Sequence, residues 1–148
     1  MNFVFGWDDE NWILKNKPKY FSFTPVPTSC KLLRHWAIIG SSGQFRPYGE
    51  GNVDDGTEPY ALENVSVPVA LFMGDKDKLC IGSEAVRICE ERKINVVFKK
   101  VVHGYDHACH IWARNSKDKV YRDVVKVIKN YDDHKPTGDV GGWDSGVE

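Results

Sequence analysis

An apolar run over residues 67 to 73 most constrains the fold, because every position in it is hydrophobic or proline. A strand with one face in water alternates apolar and polar residues, whereas a strand in a parallel sheet is covered on both faces and reads as a continuous apolar run. The next apolar run, over residues 94 to 102, is interrupted by Asn95, Lys99 and Lys100 and indicates the next strand. We therefore expect two neighbouring strands of a parallel sheet.

Helical patterns flank these strands. Ser83 can cap a helix that directs Ala85, Val86 and Cys89 inward, and Glu84 is favourable at its positive end. A last helix is predicted over residues 116 to 131, with a buried stripe of Val120, Val124, Val127, Ile128 and Tyr131. An earlier helix can begin at Thr28 or Ser29 and end at Gly40-Ser41-Ser42-Gly43. Strand, helix, strand and helix predict an α/β fold of parallel strands with crossover helices.

An acid and a histidine follow the two strands. Asp77 stands in Gly74-Asp75-Lys76-Asp77, and His107 stands in Gly104-Tyr105-Asp106-His107. This matches the order Ser, Asp, His that α/β-hydrolases use for their catalytic triad. The sequence contains no Gly-x-Ser-x-Gly nucleophile motif, and Gly40-Ser41-Ser42-Gly43 lacks its spacing. The residues thus indicate the acid and the base of a serine esterase without the nucleophile.

Composition excludes several classes of function. The net charge is −1 with histidine neutral, which gives no electrostatic case for binding nucleic acid. No apolar run approaches the ~20 residues of a membrane span, and the first residues do not read as a signal peptide. Four cysteines without CxxC spacing argue against a zinc ribbon but leave their pairing open.

The chain resembles the acid lipase family of α/β-hydrolases, which includes the gastric and lysosomal acid lipases. The resemblance runs from about Phe5 to Tyr131. It rests on Pro27-Thr28-Ser29, His35-Trp36, Phe45, Tyr48, Gly51, Tyr60-Ala61-Leu62, Val67-Pro68-Val69, Gly74-Asp75-Lys76-Asp77, Tyr105-Asp106-His107, Ile111-Trp112 and Val120-Tyr121. Here Ala108-Cys109-His110 replaces the family's Leu-Asp-Phe after the histidine.

The resemblance implies a fold and a domain organisation. Residues 1–60 would be the remainder of a cap region, residues 61–131 the C-terminal part of an α/β-hydrolase core, and residues 132–148 are expected to be a disordered tail. The cap would carry possible lipid-surface contacts through Trp7, Trp12, Phe21 and Phe23, although burial is the plainer expectation for these aromatics. Packing, rather than substrate contact, is expected for Trp36.

The resemblance also implies a function. Asp77 would be the triad acid and His107 the triad base, acting on neutral lipid esters such as triacylglycerols or cholesteryl esters without cofactor or metal. The resemblance implies that the protein is secreted or lysosomal. Asn64-Val65-Ser66 matches the sequon for N-glycosylation.

Two alternatives stay open. A chain without the nucleophile is expected to be inactive alone, and it could be a non-catalytic lipid- or protein-binding module that associates through an exposed sheet edge. A zinc site formed by His103, His107, Cys109 and His110 is a weaker alternative.

Overall fold

A computed structural model describes residues 9–22, 26–49 and 58–132. It contains α1 (Lys17–Phe21), α2 (Cys30–Ser42), β1 (Val69–Gly74), α3 (Gly82–Glu91), β2 (Val96–Val102), α4 (Cys109–Trp112) and α5 (Arg122–Asp132). Short 3-10 turns precede α1 and β1, at Leu14–Asn16 and Leu62–Asn64, and a π-helical turn at Lys117–Tyr121 leads into α5.

The two strands form the predicted parallel pair. Their register runs from Ala70 opposite Phe98 to Gly74 opposite Val102, with one irregularity directly after Val69. The chain passes from β1 to β2 through α3, as a parallel connection requires. The α/β character predicted from the apolar runs is therefore present, as a small two-stranded sheet with a crossover helix.

Two of the predicted boundaries need correction. β1 begins at Val69 rather than Val67, because Pro68 has no N–H to donate to a sheet ladder. Ser83 does not cap α3, since the helix starts at Gly82 with Ile81 in the capping position and no side-chain cap. The chain enters the helix before Ser83, and the carbonyl of Ile81 accepts the N–H groups of Glu84 and Ala85 instead.

Helix α2 ends as predicted but differs in burial. Ser29 Oγ caps it by accepting the N–H of Lys31, and Gly43 ends it with a positive φ of 65°. The expectation that Trp36 serves packing is wrong for the described residues, because its side chain is 66% exposed, and Leu32 and Leu33 are exposed beside it. Ile38 and Ile39 of the same helix are half-buried.

The hydrophobic core lies behind the loop that follows β2. It consists of Trp12, Val102, Tyr105, Ala108, Cys109, Ala113 and Val120, with Tyr20, Phe21, Phe72, Trp112 and Val124 packed against it. The Trp12 indole meets the Trp112 ring edge to face at 4.7 Å, and Tyr20 stacks on Trp112 at 5.2 Å. Trp12 is thus buried and Phe21 partly buried, in line with the expectation for these aromatics, while Trp7 and Phe23 lie outside the described residues.

The last helix is buried over a shorter stripe than predicted. Val120 is buried and Val124 packs against the core, but Ile128 is 54% and Tyr131 44% exposed. Val127 is half-buried on the same side, so the predicted stripe is kept but its last residues extend beyond the core. All four cysteines are free thiols. The predicted tail after Asp132 lies outside the described residues, and the division into cap and core stays a prediction.

Candidate active site

Two loops at the carboxyl end of the sheet form the site. Residues 75–80 follow β1 and residues 103–108 follow β2, so the parallel strands bring both loops to one edge. Gly74 lies so close to Tyr105 that an added Cβ would be 2.8 Å from the Tyr105 carbonyl carbon. The N–H of Lys76 donates to the Tyr105 carbonyl oxygen at 3.0 Å. The loops therefore continue the contact between the strands.

The structure brings Asp77 and His107 together. Asp77 Oδ2 lies 3.0 Å from His107 Nδ1. The other carboxylate oxygen, Oδ1, accepts the N–H groups of Leu79 at 2.8 Å and Cys80 at 2.9 Å. The Asp77 side chain is only 6% exposed, whereas that of His107 is 49% exposed. A buried, oriented carboxylate thus supports an imidazole whose outer edge is open.

Electrostatics set the protonation of this pair. Burial alone would raise the pKa of Asp77, but hydrogen bonds from Cys80, His107 and Leu79 outweigh it and lower that pKa below its usual value. Asp77 is then an ionised acceptor near neutral pH, so the hydrogen bond assigns the proton between the two side chains to His107 Nδ1. In the neutral ring, Nε2 keeps its lone pair and can take a proton from a hydroxyl.

A second Asp–His pair lies beside the first, and sequence reasoning missed it. Asp75 Oδ2 is 3.2 Å from His103 Nδ1, and Asp75 Oδ1 accepts the Gly104 N–H at 2.6 Å. The signal was present in the sequence, because Asp75 and His103 are the first residues after their strands. The imidazole of His103 is 74% exposed, so this pair has less support than the inner one.

Asp106, although next to His107, serves another purpose. It is 2% exposed, and its Oδ1 accepts the N–H groups of Ala108 and Cys109 at the start of α4. The carboxylate that contacts His107 Nδ1 is therefore that of Asp77, although Asp106 is the sequence neighbour of the histidine.

The zinc alternative finds no geometric support. His103 and His107 each contact a separate aspartate, and Cys109 is 1% exposed within the core. Burial, with Asp106 nearby, raises the pKa of the Cys109 thiol to about 11, which disfavours a metal-binding thiolate. Within residues 9–22, 26–49 and 58–132, no three His, Cys, Asp or Glu side chains converge as metal ligands.

His110 lies close enough to Asp77 for the carboxylate charge to affect its imidazole. Its pKa is lowered, chiefly by burial, with the charge of Asp77 acting in the opposite direction. Its ring meets Tyr105 edge to face at 5.6 Å. A neutral ring here adds no positive charge beside His107.

The serines considered at sequence level are used elsewhere. Ser41 Oγ donates to the Ile38 carbonyl and Ser42 Oγ to the Ile39 carbonyl, both within α2.

An open groove of about 590 Å³ extends from Asp77 between α3 and the two strands, with apolar walls that include Met73, Ile81, Val86 and Val101. In the described part of the chain no helix is both long and apolar enough to cross a membrane.

The resemblance to acid lipases is confirmed by curated relatives. Over 133 residues the chain is 29% identical to gastric triacylglycerol lipase of Homo sapiens, covering 84% of this chain and 33% of that protein. It is 25% identical to lipase member K of Homo sapiens over 141 residues, which is 88% of this chain and 35% of that protein.

A lysosomal relative gives the same result. Lysosomal acid lipase/cholesteryl ester hydrolase of Rattus norvegicus is 24% identical over 136 residues, covering 86% of this chain and 34% of that protein. No family model matches the chain. The chain thus spans about a third of the length of the curated relatives it matches.

Proposed function

We propose that this chain carries the acid and the base of a lipase of the α/β-hydrolase fold, with Asp77 and His107 in those roles. The observation that carries the proposal is the 3.0 Å contact between Asp77 Oδ2 and His107 Nδ1 at the carboxyl end of two parallel strands. The similarity to gastric and lysosomal lipases supports the same assignment.

In this mechanism His107 Nε2 takes the proton of a serine hydroxyl while the serine oxygen attacks the ester carbonyl. The resulting imidazolium is stabilised by the Asp77 carboxylate and returns its proton to the leaving alcohol. Water then attacks the acyl-enzyme in the same way. His107 Nε2 takes the proton of the water and returns it to the serine oxygen as the carboxylic acid is released. The proposed substrates are triacylglycerols or cholesteryl esters, after the names of the relatives.

The serine and the oxyanion donors have to come from outside these 148 residues, because the sequence has no nucleophile motif. The chain by itself is expected to hydrolyse p-nitrophenyl esters no faster than background. Turnover that depends on His107 would contradict that expectation.

A chimera tests the proposal directly. The matched C-terminal region of human gastric lipase is replaced by this chain, and triacylglycerol hydrolysis is measured. Activity is expected, and His107→Ala or Asp77→Asn is expected to reduce kcat by about 10⁴. The exposed variant Glu58→Gln serves as the control and should keep full activity. A folded chimera that is unaffected by His107→Ala would refute the assignment.

The sheet edge favours a second candidate, a non-catalytic module that binds a protein. In the described residues β1 pairs only with β2, and its apolar side chains are only half buried. The partner would be a polypeptide that adds a strand to the unpaired edge of β1, with no catalytic step shared between the two chains. Mixing this chain with the upstream two thirds of human gastric lipase tests it: co-elution without hydrolysis favours a binding module, and hydrolysis favours the enzyme.

We propose a secreted or lysosomal location, in keeping with the relatives' names. Asn64 of the glycosylation sequon is exposed at the end of the Leu62–Asn64 turn, so a glycan can be accommodated there. Expression behind a secretory leader should therefore give a product that loses mass on glycosidase treatment, and Asn64→Gln should abolish that loss.

A further inference from the structure

Asp75 joins the two loops of the candidate site through its side chain. It follows β1 directly, and its Oδ1 accepts the backbone N–H of Gly104 at 2.6 Å. Its Oδ2 lies 3.2 Å from His103 Nδ1. One carboxylate therefore contacts two successive residues of the loop that carries His107.

These contacts hold a turn whose backbone conformation favours glycine. Gly104 has a φ of 79°, in the left-handed region that favours glycine, and the Tyr105 N–H donates to the Val102 carbonyl at 3.2 Å. The N–H of Lys76 donates to the Tyr105 carbonyl on the other side of the turn. Asp75 and the Lys76 backbone thus hold the turn between β2 and His107 from two adjacent points.

The two members of the Asp77–His107 pair are held by different means. Backbone N–H groups of Leu79 and Cys80, from its own loop, orient the Asp77 carboxylate. The loop of His107 is tied instead to the residues that directly precede Asp77. Because a hydrogen bond weakens steeply as its geometry departs from the ideal, a small shift of this loop would break the 3.0 Å contact.

We propose that Asp75 is a positioning residue, which holds the turn at Gly104 so that His107 Nδ1 meets Asp77. This role rests on the proposed function for its catalytic meaning, but its geometry is independent of catalysis. The Gly104 N–H is its principal contact, because His103 is 74% exposed and its contact with Asp75 is longer.

Protonation supports this role. Burial alone would raise the pKa of Asp75, but the hydrogen bonds from Gly104 and His103 outweigh it and lower that pKa. An ionised carboxylate makes a stronger hydrogen bond to a backbone N–H than a neutral acceptor does.

The test uses the full chain and reads the tautomer of the neutral His107 ring by ¹⁵N NMR. In the wild type we expect a proton on Nδ1 and a bare Nε2. Asp75→Ala should convert His107 to a mixture of tautomers, whereas Asp75→Asn keeps an acceptor oxygen for Gly104 and should largely retain the wild-type signal. Asp118→Ala removes an exposed pair with Arg122 and serves as the control.

The outcomes separate the two proposals. If wild-type His107 shows no preference for Nδ1–H, the Asp77–His107 pair itself fails, and the proposed function fails with it. If the wild type shows Nδ1–H and a folded Asp75→Ala chain shows it equally, only the positioning role of Asp75 is overturned. In the gastric lipase chimera, Asp75→Ala is expected to lower kcat by about tenfold to a hundredfold with KM little changed.

Discussion

At the residue scale, two aspartates only two positions apart take different roles. Asp77 faces the imidazole of His107 and is 6% exposed, whereas Asp75 faces a backbone N–H and is 37% exposed. The difference follows from which part of the neighbouring loop each one meets. Asp75 meets the start of the turn at His103 and Gly104, and Asp77 meets its far end at His107.

Acid should weaken the fold through Asp77. The folded-state pKa of Asp77 is lowered, so its contribution to stability is complete above the unfolded value of about 4 and is lost as the pH falls through the folded value. The free energy of unfolding, measured with urea at pH 6 and pH 3, should drop more in the wild type than in Asp77→Asn. An equal drop in both proteins would contradict the lowered pKa. Glu58→Gln, which alters an exposed carboxylate, should behave as the wild type does.

Two glycines should respond in opposite ways to alanine. At Gly74 a Cβ would meet the backbone of Tyr105, so Gly74→Ala should push the two loops apart and lower stability by about 2 kcal/mol or more. At Gly40, inside α2, nothing lies within 4 Å of an added Cβ. Gly40→Ala should therefore raise stability by about 0.5–1 kcal/mol. Thermal unfolding of both variants checks the pair, and similar shifts would contradict the close approach at Gly74.

At the scale of elements, the segment with Trp12 and α1 (Lys17–Phe21) supports the His107 loop from behind. Trp12 forms an antiparallel bridge with Ala113, and Asn11 Nδ2 donates to the Gly104 carbonyl at 2.8 Å. The carbonyl of Asn11 accepts the Arg114 N–H at 2.9 Å. A segment early in the sequence thus packs against the loop that carries the candidate base.

Removing the Trp12 side chain should be costly. Trp12 is 3% exposed, so Trp12→Ala is expected to cost about 3–5 kcal/mol through lost burial and a cavity. Trp36 is 66% exposed on α2, and Trp36→Ala should change stability by no more than about 0.5 kcal/mol. Urea unfolding of the two variants gives the comparison. Equal losses would mean that Trp12 does not hold the core together.

At the scale of the whole molecule, burial is concentrated on one side of the sheet's carboxyl edge. The core gathers around Tyr105 and Cys109, while α2 and α5 (Arg122–Asp132) keep large apolar side chains exposed, among them Leu33, Trp36, Val125 and Ile128. Such surfaces mark places where further protein or a ligand packs in larger assemblies. In the part of the chain that the structure describes, β1 also has one edge that no other strand covers.

The thiols report whether this distribution of burial holds in solution. Cys30 and Cys80 are exposed, whereas Cys89 and Cys109 are buried. A thiol reagent at pH 8 should label two cysteines quickly and two slowly, with Cys109 slowest because burial raises its pKa to about 11. In urea all four should react. Mass spectrometry of the labelled peptides identifies them, and fast labelling of Cys109 would contradict its burial in the core.

The sequence by itself determined the parallel strand pair, the ends of α2 and the aspartate and histidine that follow the strands. These features depend on local patterns: apolar runs, a serine cap and a glycine stop, and residues directly after strand ends. Tertiary structure decided the rest. The docking of Trp12 and the loss of burial towards the end of α5 depend on contacts between residues distant in sequence, and no local pattern specifies those.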